Sequence, residues 1–319
     1  MTDIHQPHDR LFRAVFSDTN EAASLLQTAL PDTIRDSFDW TTLILLDGTF
    51  IDEGLQGSQS DLLYQIEHTK TGQPVSVYML LEHQSSPDPW LRLRLLRYCC
   101  RIWEAERRDD PGRSELRPIV PVVFYQGARG WNHSTEFADL FPEAVRSLSW
   151  VPRFTHELLD QTTLDPEAVT GNVKGRIVQL LMMVAFGRHV EAALDRAARW
   201  TLLLHQTEGG VDEFRRFIAY LANVQDDGSA IETFSEALER YGLDMKGEIM
   251  TYAEQLLAEG RAEGEARGRM EGEQHGKVEV VEGLLRVGVT WEVIEAATGL
   301  TETGFQELKA ELAGSDAVP

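Results

Sequence analysis

The sequence is short of positive charge, of cysteine and of long apolar runs. Its 319 residues carry 30 Lys and Arg against 52 Asp and Glu, a formal net charge of −22, and only five of the cations are lysine. A surface of that sign repels nucleic acid and anionic membranes as a whole. That excludes a binder working through overall charge and leaves room for a local basic groove or a metal-assisted site. The acidity is uneven, because residues 225–319 hold 21 Asp and Glu against 8 Lys and Arg. The two cysteines, Cys99 and Cys100, are adjacent, a spacing at which bridging is rare. No disulfide framework is expected, and the pair reads as small apolar residues of a helix. The longest apolar run, LLMMVAF at 180–186, is far too short to span a bilayer. The opening MTDIHQPHDRLFRAVF holds no stretch fit for a signal peptide. A reducing cytoplasm is the expected setting, with no membrane contact.

What is present is a mixed α/β pattern. Residues 8–29 have helical spacing on two faces, with Ser17 or Asp18 placed to break or cap between them. Residues 42–51, TLILLDGTFI, and 59–67 read as strands. VSVYMLLEHQ at 75–84 is apolar on both faces, as a central strand is. SSPDP opens a helix near 88–108 with Leu91, Leu95, Tyr98, Ile102 and Trp103 as its buried stripe and Arg92, Arg94, Arg97, Arg101, Arg107 and Arg108 around it. PIVPVVFYQG at 118–127 is a further strand, and 153–159 a short one. From about 166 the chain is helical. The order helix, three strands, helix, strand is that of a mixed layer rather than repeated βαβ units.

The central strand ends in Glu82, His83 and Gln84. If 59–67 and 75–84 form a hairpin turning between Thr71 and Gly72, Asp61 lies opposite Glu82 and Gln59 opposite Gln84. Glu82 and Gln84 share a face by the two-residue period, and His83 points away from them. Two carboxylates so close need a proton or a cation between them. A hard divalent ion suits them, because Mg²⁺ takes oxygen ligands and is usually held by one or two carboxylates plus substrate phosphate oxygens. The plainer reading is that carboxylates at a strand end are solvated.

These residues resemble a known family. HDRLFRAVF (8–16), SDLLYQI (60–66), LLEHQSSPDPWLRLRLLRYCCRIW (80–103) and PVVFYQGARGW (121–131) are similar to the Rpn family, the recombination-promoting nucleases, also labelled YhgA-like. The later EIMTYAEQLLAEGRAEG and VEGLLRVGVTWEVIEAATGLTETGFQEL are similar too, so the resemblance covers nearly the whole chain. It implies a restriction-endonuclease-like PD-(D/E)xK core with a mixed sheet, and metal-dependent hydrolysis of DNA phosphodiesters in recombination. The implied metal is Mg²⁺, with Mn²⁺ or Ca²⁺ as alternatives. By motif match, Asp61 and Glu82 are the metal ligands, and Gln84 stands where most of that superfamily has Lys. Gln84 supplies no charge and no base, so positioning of water or phosphate is its expected part. Ser60 stands where the superfamily motif has Pro. The nearest lysine is Lys70 in the turn. Arg94 and Tyr98, four apart on the following helix, are expected to face the same region and contact DNA, although Tyr98 as a core residue and Arg94 as a surface charge remain open. Glu21 is a further candidate ligand. The alternative to the enzyme is a catalytically inactive interaction protein on the same fold.

The tail repeats glycine every fourth residue at Gly260, Gly264, Gly268, Gly272 and Gly276. Each costs about 1 kcal/mol in a helix relative to Ala. A charged flexible linker is expected there, or a helix formed only against a partner or a second copy. The expected organisation is a nuclease-like core at 1–165, a helical region at 166–258, the repeat at 259–277 and a small three-helix segment at 278–319, with Thr290 and Thr301 as caps and Gly288 and Gly299 as stops. The last segment carries more acid than base, which favours protein contact or self-association over DNA.

Overall fold

The computed structural model describes residues 7–46, 61–82, 87–205, 207, 209–224 and 228–315. Packing divides the chain into two compact units between Ala253 and Glu254.

The first unit begins with α1 (Pro7–Phe16) and α2 (Thr19–Ala29). The break expected at Ser17 or Asp18 falls there because the Asp18 carboxylate accepts the Asn20 N–H at 2.9 Å and caps α2. A single turn, α3 (Asp32–Arg35), leads into β1 (Phe38–Leu45), β2 (Leu62–His68) and β3 (Pro74–Glu82). Then follow α4 (Leu91–Asp109), β4 (Ile119–Tyr125) and β5 (Glu157–Asp160). The strands form one mixed sheet in the order β1-β2-β3-β4-β5. β1, β2 and β3 pair antiparallel, whereas β3–β4 and β4–β5 are parallel. β3 is central, as its two-sided apolar run predicts. β1 begins at Phe38, earlier than expected, and 47–51 of the expected strand lie outside the described residues.

The period of two sorts the strand residues onto two faces. Leu62, Tyr64, Ile66, Val75, Val77, Met79, Val122 and Phe124 join the larger core with α1, α2 and the later helices. Leu63, Tyr78, Leu80, Val123 and Tyr125 pack with Leu91, Leu95, Tyr98 and Ile102 of α4 on the other face. The helices that follow are α5 (Val173–Ala185), α6 (Val190–His205), α7 (Gly210–Val224) and α8 (Ser229–Arg240). Their apolar residues share the larger core with the first two helices and the sheet.

α9 (Lys246–Arg286) is a continuous helix of 41 residues through all five repeat glycines. The flexible-linker expectation for 259–277 is therefore corrected. The glutamate, arginine and alanine between the glycines are good helix formers, and they carry the helix across positions that disfavour it. In the second unit Val281, Ile294 and Phe305 form a small core between the end of α9, α10 (Trp291–Thr298) and α11 (Glu302–Ser315). Gly288 (φ +84°) and Gly299 (φ +71°) supply the left-handed turns that stop α9 and α10. Among the described residues no helix is long and apolar enough to cross a membrane.

Candidate active site

Antiparallel pairing sets the start of β2 beside the end of β3, which brings Asp61 and Glu82 to the same end of the sheet. Their register differs from the expected one. Leu62 pairs with Met79 and Leu63 with Tyr78, so continuing by one residue sets Asp61 against Leu80, with Glu82 two residues further on. The cause is the turn. The His68 carbonyl accepts the N–H groups of Thr71 (3.2 Å) and Gly72 (2.8 Å), and the His68 N–H donates to Gln73 O at 2.9 Å. The loop thus spans Thr69 to Gly72 and closes on Gly72 at φ +62°. It is a four-residue loop rather than a turn centred on Thr71 and Gly72. The displacement is two residues in pairing, so it preserves the face. Asp61 and Glu82 both lie on the side of the sheet covered by α4, as diagonal neighbours, a relation that typically spans about 7–8 Å and somewhat less between Cβ atoms.

Both side chains are buried, Asp61 at 7% and Glu82 at 2% exposure. Carboxylates in such a place need donors or counter-charge. The Tyr78 hydroxyl donates to Asp61 Oδ2, and Arg94 Nη2 donates to Glu82 Oε2 as a salt bridge. The second arm of Arg94 reaches Asp88 Oδ2 at 3.4 Å. Burial, with the Asp61 charge next, holds the Tyr78 phenol well above its ordinary range, so it is a fixed donor. Burial and the Asp61 charge also raise Tyr98, whose ring lies 5.6 Å from that of Tyr78. For Arg94, burial opposes the charge but Glu82, Tyr98 and Asp88 outweigh it and raise the guanidinium further. The Arg97 guanidinium lies 6.0 Å from the centre of the Tyr98 ring.

Asp61, Glu82, Arg94 and Tyr98 are thus brought to one face at one sheet end, and Tyr98 is at once a core residue and a neighbour of the acids. Gln84, with His83 and Gln59, lies outside the described residues. Glu21 does not join the group. It accepts the Gly175 N–H at 2.9 Å at the start of α5, on the opposite side of the sheet, where Asn172 makes no side-chain cap. Burial raises its pKa from the ordinary carboxylate value. A helix start lacking its own cap, not a metal shell, accounts for that acid. Arg92 is likewise removed from the expected basic surface, since it is buried and donates to Glu136 O at 3.0 Å. Tyr78 and Asp88 were not singled out from the sequence. Tyr78 was accessible by periodicity, since it shares parity with Leu80 and Glu82.

The donor chemistry fits a small hard cation. Two oxygen donors suffice for Mg²⁺ when water and phosphate oxygens complete the shell. Among the described residues no group of three or more His, Cys, Asp or Glu side chains gathers to form an all-protein cage.

A family model described as "Putative transposase, YhgA-like" matches residues 6–211. The chain is 27% identical over 299 residues to the inactive recombination-promoting nuclease-like protein RpnE of Escherichia coli (strain K12), covering 93% of this chain and 95% of the relative. It is 27% identical over 299 residues to the recombination-promoting nuclease RpnA of the same strain, covering 93% and 94%. It is 30% identical over 210 residues to the recombination-promoting nuclease RpnC of that strain, covering 65% and 64%. No solved structure matches the chain.

Proposed function

Because this chain belongs to the YhgA-like family, we propose that it is a metal-dependent DNA endonuclease on a PD-(D/E)xK core. Asp61 and Glu82 would hold Mg²⁺, or Mn²⁺ or Ca²⁺ in its place. The observation that carries this reading is the pair of buried carboxylates on one face of one sheet end, beside a helix with an arginine stripe. On an ideal helix Arg94, Arg97, Arg101 and Arg108 fall within about 60° of one another. Arg97 and Arg108 are exposed, while Arg94 and Arg101 are half-buried. A stripe of this kind can track a phosphate backbone that the −22 chain otherwise repels.

The ion, when bound, would polarise the scissile phosphodiester and supply an activated water. The remaining steps belong to the protein. Tyr78 orients Asp61 through its hydroxyl, Arg94 offers a forked donor to a phosphate, and the Tyr98 ring packs beside that of Tyr78. Gln84 is assigned to position water or a phosphate oxygen. Purified protein with Mg²⁺ should nick supercoiled plasmid, and Asp61→Ala and Glu82→Gln should each abolish nicking. Equal cleavage by either variant removes that residue from the mechanism.

A second reading, a catalytically inactive interaction protein, is favoured by one observation: Glu82 already has its counter-charge in Arg94. RpnE, a relative named as inactive, is compatible with it. Titration calorimetry separates the two readings, since only the enzyme predicts Mn²⁺ uptake that disappears in Glu82→Gln. Self-association through the repeat and the C-terminal helices is a further proposal, tested by sedimentation.

A further inference from the structure

We propose that Arg94 is the exchangeable counter-ion of the strand-end acids. It holds Glu82 while no divalent cation is bound and passes to Asp88 when one loads, so that cation binding frees a phosphate-binding arginine. This rests on the metal-site reading above and adds a regulatory step to it.

The geometry of the Arg94 fork carries the inference. One arm, Nη2, sits on Glu82, whose side chain is 2% exposed, and the other, Nη1, is 3.4 Å from Asp88, whose side chain is 22% exposed. Arg94 itself is 27% exposed. It therefore bridges a buried acid and an acid at the surface, from the first turn of α4. A buried carboxylate that stays ionised needs a counter-charge or hydrogen-bond donors. A divalent cation beside Glu82 and a guanidinium on its Oε2 repel each other strongly at contact distance in a poorly hydrated site, so loading favours displacement of the arginine arm. Asp88 gives the displaced guanidinium a partner at once, so the exchange needs no unpaired charge. Once released from Glu82, the fork lies at the head of the stripe formed with Arg97 and Arg101, and a phosphate can replace Asp88 as its partner. Lysine would bridge less well, since its ammonium lacks the preorganised planar fork of the guanidinium.

Arginine on Glu82 reduces the fraction of molecules competent to bind the cation, so its removal should raise apparent affinity. Calorimetry with Ca²⁺ on the full chain should show Arg94→Met binding about tenfold or more tightly than wild type, while its affinity for a DNA duplex falls. Arg94→Lys should lie between. If Arg94→Met binds Ca²⁺ no more tightly while Glu82→Gln abolishes uptake, the exchange is overturned and the metal site stands. If neither wild type nor Arg94→Met takes up Ca²⁺, both are overturned. A measurement free of variant folding uses wild type alone. The Arg94 side-chain nitrogen resonances should move during the Ca²⁺ titration with the calorimetric midpoint, and resonances that stay fixed while Ca²⁺ binds overturn the exchange.

Discussion

The Tyr78 hydroxyl donates to Asp61 Oδ2 across β2 and β3 from a diagonal position, since Tyr78 itself pairs with Leu63. The contact fixes one carboxylate oxygen and leaves the carboxylate plane little freedom. With Asp61 as the proposed metal ligand, removing such an outer partner is expected to weaken metal binding by about 10–100-fold. Tyr78→Phe should therefore reduce Mn²⁺ affinity by that order while leaving the far-ultraviolet circular dichroism unchanged. Unaltered affinity would show that the phenol serves packing alone.

Glu21 yields the opposite expectation. Its carboxylate accepts the Gly175 N–H in a buried place, so Glu21→Ala leaves that donor unsatisfied, at a cost of about 1–3 kcal/mol. Divalent cation uptake should not change. Glu21→Gln keeps an acceptor oxygen and should cost less. Gly175→Ala tests the same contact from the other side, because its Cβ would lie 3.3 Å from both Glu21 Oε2 and Phe16 Cε1. Stability comes from urea midpoints, and a metal-binding loss in Glu21→Ala would restore that acid to the site.

The pattern of these residues explains what was legible in the sequence. β3 was recognisable because a central strand is apolar on both faces, and α4 because Leu91, Leu95 and Tyr98 recur at helical spacing. The face shared by Asp61 and Glu82 was legible because parity survives a two-residue change in pairing. The register itself was not. It depends on whether Gly72 closes a four-residue loop or lies at a turn centre, and both use the same residues. Glu21 misled because a first-helix acid looks alike whether it caps a distant helix or holds an ion. Its partner Gly175 is 154 residues away, and no local spacing encodes such a contact.

His156 gives a pH dependence remote from the acids. It is 1% exposed, and its ring lies 6.0 Å from that of Trp131. Burial, with the Arg92 charge next, pushes it from the ordinary 6.5 down to about 4. Well above pH 6.5 the ring is neutral in folded and unfolded chains, and stability is undiminished. Between 6.5 and about 4 the unfolded chain takes up a proton that the folded one refuses, so stability falls as pH falls. The slope from this one group approaches roughly 1.4 kcal/mol per pH unit in the middle of that window. His156→Gln should flatten the acid limb of urea midpoints measured across it. An unchanged limb would assign the acid sensitivity to other groups.

The glycine repeat of α9 supports a prediction about the second unit. Added Cβ atoms at Gly268, Gly272 and Gly276 would meet nothing within 4 Å, and each position lies inside a regular helix. With open space and helical backbone, alanine should gain about 0.5–1 kcal/mol per site through its lower conformational freedom in the unfolded chain and its better helix propensity. The gains should add approximately, because the sites make no contact other than along the helix. The triple variant Gly268→Ala, Gly272→Ala, Gly276→Ala should therefore increase ellipticity at the helical band and slow amide exchange around residues 266–278. A stripe packed closely on a second copy behaves otherwise, since three methyl groups would force the helices apart. Faster exchange, together with a loss of mass in sedimentation, would mean that the glycines serve a close helix contact rather than an open surface.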